Sequence, residues 1–417
     1  MRMLKLTAQT EAELMRNREG QTREAGRVAA RIVADVKRRG DHGLDHWTRR
    51  LDKVDTRGNN LWVTASEIAA AKKRVNRWFL RAVEHAAANV RRVAEKQQPR
   101  EWSMEVEPGV RISQLVRPIE SIGCYIPGGR FALFSTMLMT VVPAQVAGVS
   151  RIVVACPGAS DEVLAAADLI GVKTLARIGG AQAIAALAYG TKRIARVEKI
   201  FGPGNRYVTA AKQVVSCACA IDLPAGPTEA IVLSRAGNPR WIAADLLAQA
   251  EHAPDAGSYF VTTSERAARE VKNEVEAQLG ALPVTNPART SIEKTGAILL
   301  AKSWGDAIDF VNRFAPEHLS LPEGAPALLR KIRAAGTIFL GHLNAQPFGD
   351  YASGSNHVLP TGGWAKRRGG LSTADFVKQI SVQSISATGY RRLADDVQIM
   401  AKAEGLLAHA NAVEVRR

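Results

Sequence analysis

An α/β protein with two doubly wound parallel sheets, a helical N-terminal lead-in and a helical C-terminal tail is what this 417-residue sequence predicts. Three observations carry that expectation. From Ile122 to Leu233 short apolar runs alternate with helical stretches, each run neighbours a Gly/Pro loop, and the flanks show apolar residues at helical spacing instead. Such alternation calls for parallel strands with helices packed on both faces.

Taken in order, the start from Met1 to Leu6 turns charged too early for a signal-peptide core. No apolar run approaches the roughly 20 residues that span a bilayer, so a cytoplasmic protein without a membrane partner is expected. Glu24–Arg39 and Ala65–Glu95 read as helices, and Pro108-Gly109 as a turn into a β-rich stretch, Val110–Val116. Strands are predicted near Ile152–Ala155, Thr174–Ile178, Val197–Phe201 and Ala230–Leu233, with helices at Glu162–Ile170 and Ala183–Tyr189. The loops at residues 126–129, 179–182, 202–205 and 224–228 follow or flank these strands. At that edge, helix starts present backbone N–H groups to an anion such as a nucleotide. GxGxxG is missing there, so tight structural turns satisfy the pattern equally well. A second α/β region runs from about Arg240 to Ser372. Beyond it Thr373–Arg417 reads as mostly helical, and its apolar residues Leu393, Val397, Met400 and Ala401 need a surface, which a second subunit can supply.

Hydrophobic residues make up 46% of the chain, enough for a large core or two to three domains. The net charge of +16 is spread in short runs such as Lys37-Arg38-Arg39 and Lys366-Arg367-Arg368, without interleaved aromatics. That is a solvated basic surface that favours anionic ligands, not a specific nucleic-acid footprint. Cys124, Cys156, Cys217 and Cys219 lack metal or CxxC spacing and read as buried thiols. Cys124, just before Tyr125, is the one placed where a catalytic thiol is conceivable.

The polar words carry the chemistry. Of eight histidines none lies between His85 and His252, yet four of the last five fall in or beside Gln249-Ala-Glu-His252, Pro316-Glu-His-Leu319, Gly349–His357 and Ala408-His409. A helix over Asp245–His252, halted near Pro254, places Gln249 and His252 three apart on one face. With Asp350 they offer nitrogen and oxygen donors without sulfur, a mixture that suits catalytic Zn²⁺, although Gln is an unusual ligand. Glu317-His318 pairs a carboxylate that can activate water with an imidazole that can exchange protons near neutral pH. An exposed polar turn is the plain alternative for that dipeptide. His342 has no such company and reads as structural.

These words, with Tyr125–Gly129, Gly179–Ala185, Gly202–Asn205, Pro224–Thr228 and Ala403–His409, closely resemble the histidinol dehydrogenase family over nearly the whole chain. The resemblance implies NAD-linked, four-electron oxidation of L-histidinol to L-histidine through histidinaldehyde, with one zinc per subunit. It implies zinc ligands Gln249, His252, Asp350 and His409, and Glu317 and His318 as the acid–base pair. Substrate contacts would be Thr228, Gln249, His252, His318, Asp350, His357, Glu404 and His409; cofactor contacts would be Tyr125, Gln182 and Asn205. A homodimer is implied, its tail bringing Glu404 and His409 into the partner's site. Thr228 stands where many members have Ser, and Arg130 follows Gly128-Gly129 at a variable point. Relatives that oxidise another small alcohol, such as a sulfonated diol, supply the alternative. The expected division is an arm at 1–15, a main α/β domain at 16–121 plus 229–372, a Rossmann-like NAD-binding domain at 122–228, and a helical dimerisation tail at 373–417.

Overall fold

The computed structural model describes residues 1–19, 22–128, 133–223, 226–324 and 326–417. Gly129, Arg130, Pro224 and Ala225, named above in the glycine-rich loops, lie outside them. Two parallel sheets and one antiparallel ribbon organise the chain. The six-stranded sheet runs β1 (Arg2–Lys5), β11 (Ala297–Leu300), β10 (Gly257–Thr262), β9 (Glu229–Leu233), β12 (His318–Leu321), β13 (Thr337–Leu340). The five-stranded sheet runs β6 (Leu175–Ala176), β5 (Arg151–Ala155), β4 (Ser121–Tyr125), β7 (Lys199–Phe201), β8 (Ala220–Ile221). Leaving aside β1, both follow the order 3-2-1-4-5 in their own chain sequence, which is the doubly wound arrangement expected. The central strands β4, β9 and β10 are buried along their whole length, as strands covered on both faces must be.

The connection between the sheets fixes the site. The chain leaves the five-stranded sheet at the carboxyl end of β8 and enters β9 at its amino end after residues 222–228. The carboxyl edge of one sheet therefore meets the amino edge of the other.

Three elements differ from expectation. Ala65–Glu95 is two helices, Ala65–Arg74 and Arg77–Gln97, because Asn76 is extended and caps the second by accepting the Trp78 N–H at 2.8 Å. The opening residues, read as an arm, form β1 and extend the six-stranded sheet beside β11. The tail is not helical throughout: β14 (Val377–Ile385) pairs antiparallel with β3 (Val110–Pro118), which pairs with β2 (Trp102–Glu107). Only then come helices Ala387–Ala403 and Leu407–Glu414. The alternation in β14 is weak because nearly all of it is exposed, so periodicity had no buried face to report. Among the described residues no helix is long and apolar enough to cross a membrane.

Candidate active site

Thr228, Glu229, Glu317 and His318 all lie at strand beginnings, since β12 pairs β9 with His318 opposite Ala230. Gln249 lies in the last turn of helix Pro239–Ala250, which returns from β9 to this same edge. Glu317 and His318 are buried, 6% and 4% exposed, which removes the exposed-turn reading. Glu317 Oε2 accepts the Thr228 hydroxyl at 2.5 Å and the Glu229 N–H at 3.0 Å. Thr228 in turn accepts from Gln249 Nε2 at 2.7 Å. One hydroxyl thus ties the candidate metal ligand to the candidate acid–base group.

His318 lies between two carboxylates: Nδ1 is 3.7 Å from Glu317 and Nε2 is 3.8 Å from Asp350. Its ring stacks on Phe339, and Nδ1 is buried without a hydrogen-bond partner. An imidazole nitrogen left this way is available to a ligand's proton. Burial pulls the His318 pKa down, yet Glu317 and Asp350 outweigh it and the net direction is up. Burial pushes Asp350 up, but the imidazoles of His318, His357 and His252 carry it below the usual carboxylate range. His357 moves down because burial exceeds the pull of Asp350. Its Nδ1 bonds the Asp350 carbonyl at 2.8 Å and its Nε2 meets Thr136 Oγ1 at 3.1 Å. Gly354 makes this loop possible: its φ is +96°, and a Cβ there would stand 2.7 Å from the Asn89 carbonyl.

His252 corrects one local expectation. The helix ends at Ala250, so His252 sits in the following turn, exposed, with Nδ1 3.0 Å from the Ala248 carbonyl. It still faces Asp350 closely enough to influence its charge. Glu404 and His409 are not brought to this group within one chain. Both are exposed, and helix Leu407–Glu414 packs on helix Ala387–Ala403, which packs on β14. Among the described residues no three His, Cys, Asp or Glu side chains are placed to hold a metal ion. The donors present in one chain, an imidazole, a carboxylate and the Gln249 amide, nevertheless fit a hard-to-borderline cation short of one ligand. The carboxyl end of helix Pro239–Ala250 adds negative potential there.

On the five-stranded side Tyr125, Gln182 and Asn205 end or follow β4, β6 and β7 at the carboxyl edge. Tyr125 ends β4, and its hydroxyl accepts the Gly180 N–H at 3.2 Å. Gln182 lies buried in helix Gly180–Tyr189. Asn205 caps helix Arg206–Val215 through the Tyr207 and Val208 N–H groups. The Gly180, Tyr207 and Val208 N–H groups are thus partnered within the protein. Gly202, at φ +111°, passes so close to the Tyr125 carbonyl that no side chain fits.

Several supporting residues escaped the sequence. Arg18 and Glu229 form a buried ion pair 211 residues apart, with Arg18 Nε 2.8 Å from Glu229 Oε2. Arg18 also donates to the Phe314 carbonyl at 2.8 Å and lies over its ring. Lys212 and Asp222 pair in the core, where Lys212 donates to the Gly202 carbonyl at 3.0 Å and Asp222 accepts the Gly202 N–H at 2.8 Å. Glu229 adjoins Thr228 in sequence, but nothing local marks Arg18 as its partner. Cys124 is completely buried and its thiol is pushed up to about 12, which leaves it protonated and inert. His342 stands against Trp241, beyond the carboxyl end of β13 rather than at the strand beginnings.

Two doubly wound sheets around a buried carboxylate–imidazole pair define an α/β protein with a candidate acid–base site. The model of the histidinol dehydrogenase family matches residues 15–417. Histidinol dehydrogenase from Methanothermobacter thermautotrophicus is 46% identical, covering 93% of this chain and 92% of that protein. That from Geobacillus kaustophilus is 44% identical over 97% and 96%. The crystal structure of histidinol dehydrogenase from Elizabethkingia anophelis superposes with a TM-score of 0.93 at 37% identity, covering 100% of this chain and 98% of that one. The chain belongs to the histidinol dehydrogenase family and is an oxidoreductase of histidine biosynthesis. The alternative of a sulfonated diol finds no support among these relatives.

Proposed function

We propose that the chain oxidises L-histidinol to L-histidine in two NAD-linked steps through a bound aldehyde, as a cytoplasmic homodimer with one zinc ion per subunit. The single observation that carries the chemistry is the buried Glu317–His318 pair, with His318 Nδ1 unpartnered and Glu317 oriented by Thr228 and the Glu229 N–H. In the first oxidation His318 takes the proton of the substrate hydroxyl as the carbinol carbon gives up a hydride. For the second, Glu317 draws a proton from water as its oxygen adds to the aldehyde carbon, and His318 returns the proton it holds to the carbonyl oxygen, giving the hydrate. His318 then takes a hydroxyl proton of the hydrate as a second hydride leaves, producing the carboxylic acid, which ionises to the carboxylate. Burial of both residues keeps the aldehyde away from bulk water between the steps.

Gln249, His252 and Asp350 would hold the zinc, with His409 of a second copy completing the set. The ion supplies a template and Lewis acid for the substrate's amine and imidazole. NAD supplies the hydride acceptor, at the five-stranded domain of residues 122–228, against Tyr125, Gln182 and Asn205. His357 would position substrate from the Asp350 loop, and Glu404 would reach it from the partner. The dimer is supported by apolar surface on the ribbon and tail, where Trp102, Met104, Val106, Ile380, Met400 and Leu407 are exposed.

The test is NADH formation from L-histidinol by purified zinc-loaded protein, with the product identified. Two NADH and one histidine per histidinol are expected. No turnover by folded, zinc-bound protein would refute the reading.

A further inference from the structure

At the start of helix Gly180–Tyr189, on the glycine-rich edge, the chain places its own carboxylate. Asp52 closes helix Asp41–Leu51, and its Oδ2 accepts the Gly179 N–H at 3.1 Å and Gln182 Nε2–H at 3.0 Å. With Gly180 donating to Tyr125, the Gly179 and Gly180 amides at this helix start are already taken. Asp52 Oδ1 has no hydrogen-bond partner among the described residues. A second observation points to a ligand: Gln182 is 0% exposed, yet its Oε1 has no partner. A buried acceptor left unmade is destabilising, and a donor from a bound molecule would recover that loss.

This corner therefore offers an unsatisfied carbonyl oxygen and an unpartnered carboxylate oxygen. Such a pair welcomes hydroxyl groups and repels phosphate. Its place in the sheet says which part of a dinucleotide would meet it. The helix follows β6, the outermost strand, whereas the chain departs for the catalytic strand starts from β8 at the opposite end. The adenosine half is the half remote from hydride transfer.

We propose that Asp52 is a specificity-determining residue that, with Gln182, receives the 2′-hydroxyl of the adenosine ribose and excludes a cofactor bearing a 2′-phosphate. In other doubly wound sheets an acidic residue within the nucleotide domain does this work. Here it comes from the N-terminal lead-in, outside the five-stranded unit. The assignment rests on the NAD reading above.

The test compares kcat/KM for NAD and NADP with L-histidinol and zinc-loaded enzyme. The wild type should favour NAD by about 100-fold, the size of a like-charge penalty of a few kcal/mol. Asp52→Asn keeps an oxygen for Gly179 and Gln182 but removes the charge, and should narrow that ratio by about tenfold or more. A common loss for both cofactors with the ratio unmoved would overturn the proposal, leaving Asp52 as a prop for Gln182. Should the variant not fold, inhibition of the wild type by ADP-ribose and by 2′-phospho-ADP-ribose decides: weaker inhibition by the phosphorylated compound supports the proposal, and equal inhibition overturns it. Turnover with neither cofactor would instead refute the NAD reading itself, and this assignment with it.

Discussion

Thr228 and Glu317 are joined by a 2.5 Å hydrogen bond across the amino ends of neighbouring strands, with the Thr228 hydroxyl donating. Because that hydroxyl also accepts from Gln249, it sets the direction of two groups at once. Thr228→Val keeps the shape and removes both bonds, leaving Glu317 with the Glu229 N–H alone. Turnover should fall by about 10- to 100-fold, matching one to two charge-assisted hydrogen bonds. Thr228→Ser should retain most of it, and steady-state kinetics of the two variants checks the pair. Equal activity in the Val variant would detach Thr228 from catalysis.

Behind Glu317, the Arg18–Glu229 pair is nearly dry, with side chains 11% and 5% exposed. Arg18→Met leaves a buried carboxylate whose pKa burial already pushes up to about 7. Removing one partner of such a pair costs about 3–5 kcal/mol. The double variant Arg18→Met/Glu229→Gln should recover most of that loss, because no charge remains stranded. Denaturant midpoints of the three proteins measure it.

Much of this architecture was legible in the residues. The alternation from Ile122 to Leu233 became the five-stranded sheet because both faces are buried, so the apolar signal is continuous. Glu317 and His318 stood out because their chemistry is compressed into two adjacent positions. Arg18, Asp52 and Lys212 did not, since each acts on a partner brought near only by the fold. The ribbon strand Val377–Ile385 was hidden for another reason: its apolar residues are exposed, so it has no buried face for a periodic pattern to report.

Asp245 gives a stability signal separate from catalysis. Burial pushes its pKa from 3.8 up to about 6, partly opposed by the Gln346 N–H. A carboxyl raised in the folded state adds stability below its unfolded pKa and loses it as pH rises through the folded one. The window runs from about 4 to 6, and the full loss is at most about 3 kcal/mol. Asp245→Asn should melt like the wild type near pH 4 and higher than it at pH 7. Parallel melting curves at both pH values would show that Asp245 is not strained by its burial.

Cys124→Ser should leave turnover intact. The thiol is buried against the sheet with its pKa near 12, so no thiolate is present to attack an aldehyde. Mass spectrometry of enzyme quenched during turnover should find no adduct at Cys124; an adduct would restore the covalent route.

His409 presents the sharpest test of assembly, because it is exposed on a tail helix while His318 is buried among the strand starts. If a site takes His318 from one chain and His409 from the other, each single variant, His318→Ala or His409→Ala, is inactive as a homodimer. In a mixed dimer one site collects both lesions, and the other receives an intact His318 and an intact His409. Purified heterodimers should therefore recover about half the wild-type activity per dimer, as two-fold exchange of the tails requires. If both residues served the same chain, every site in the mixed dimer would carry one lesion and no activity would return. Differently tagged subunits, purified in two steps and assayed for NADH formation, separate these outcomes.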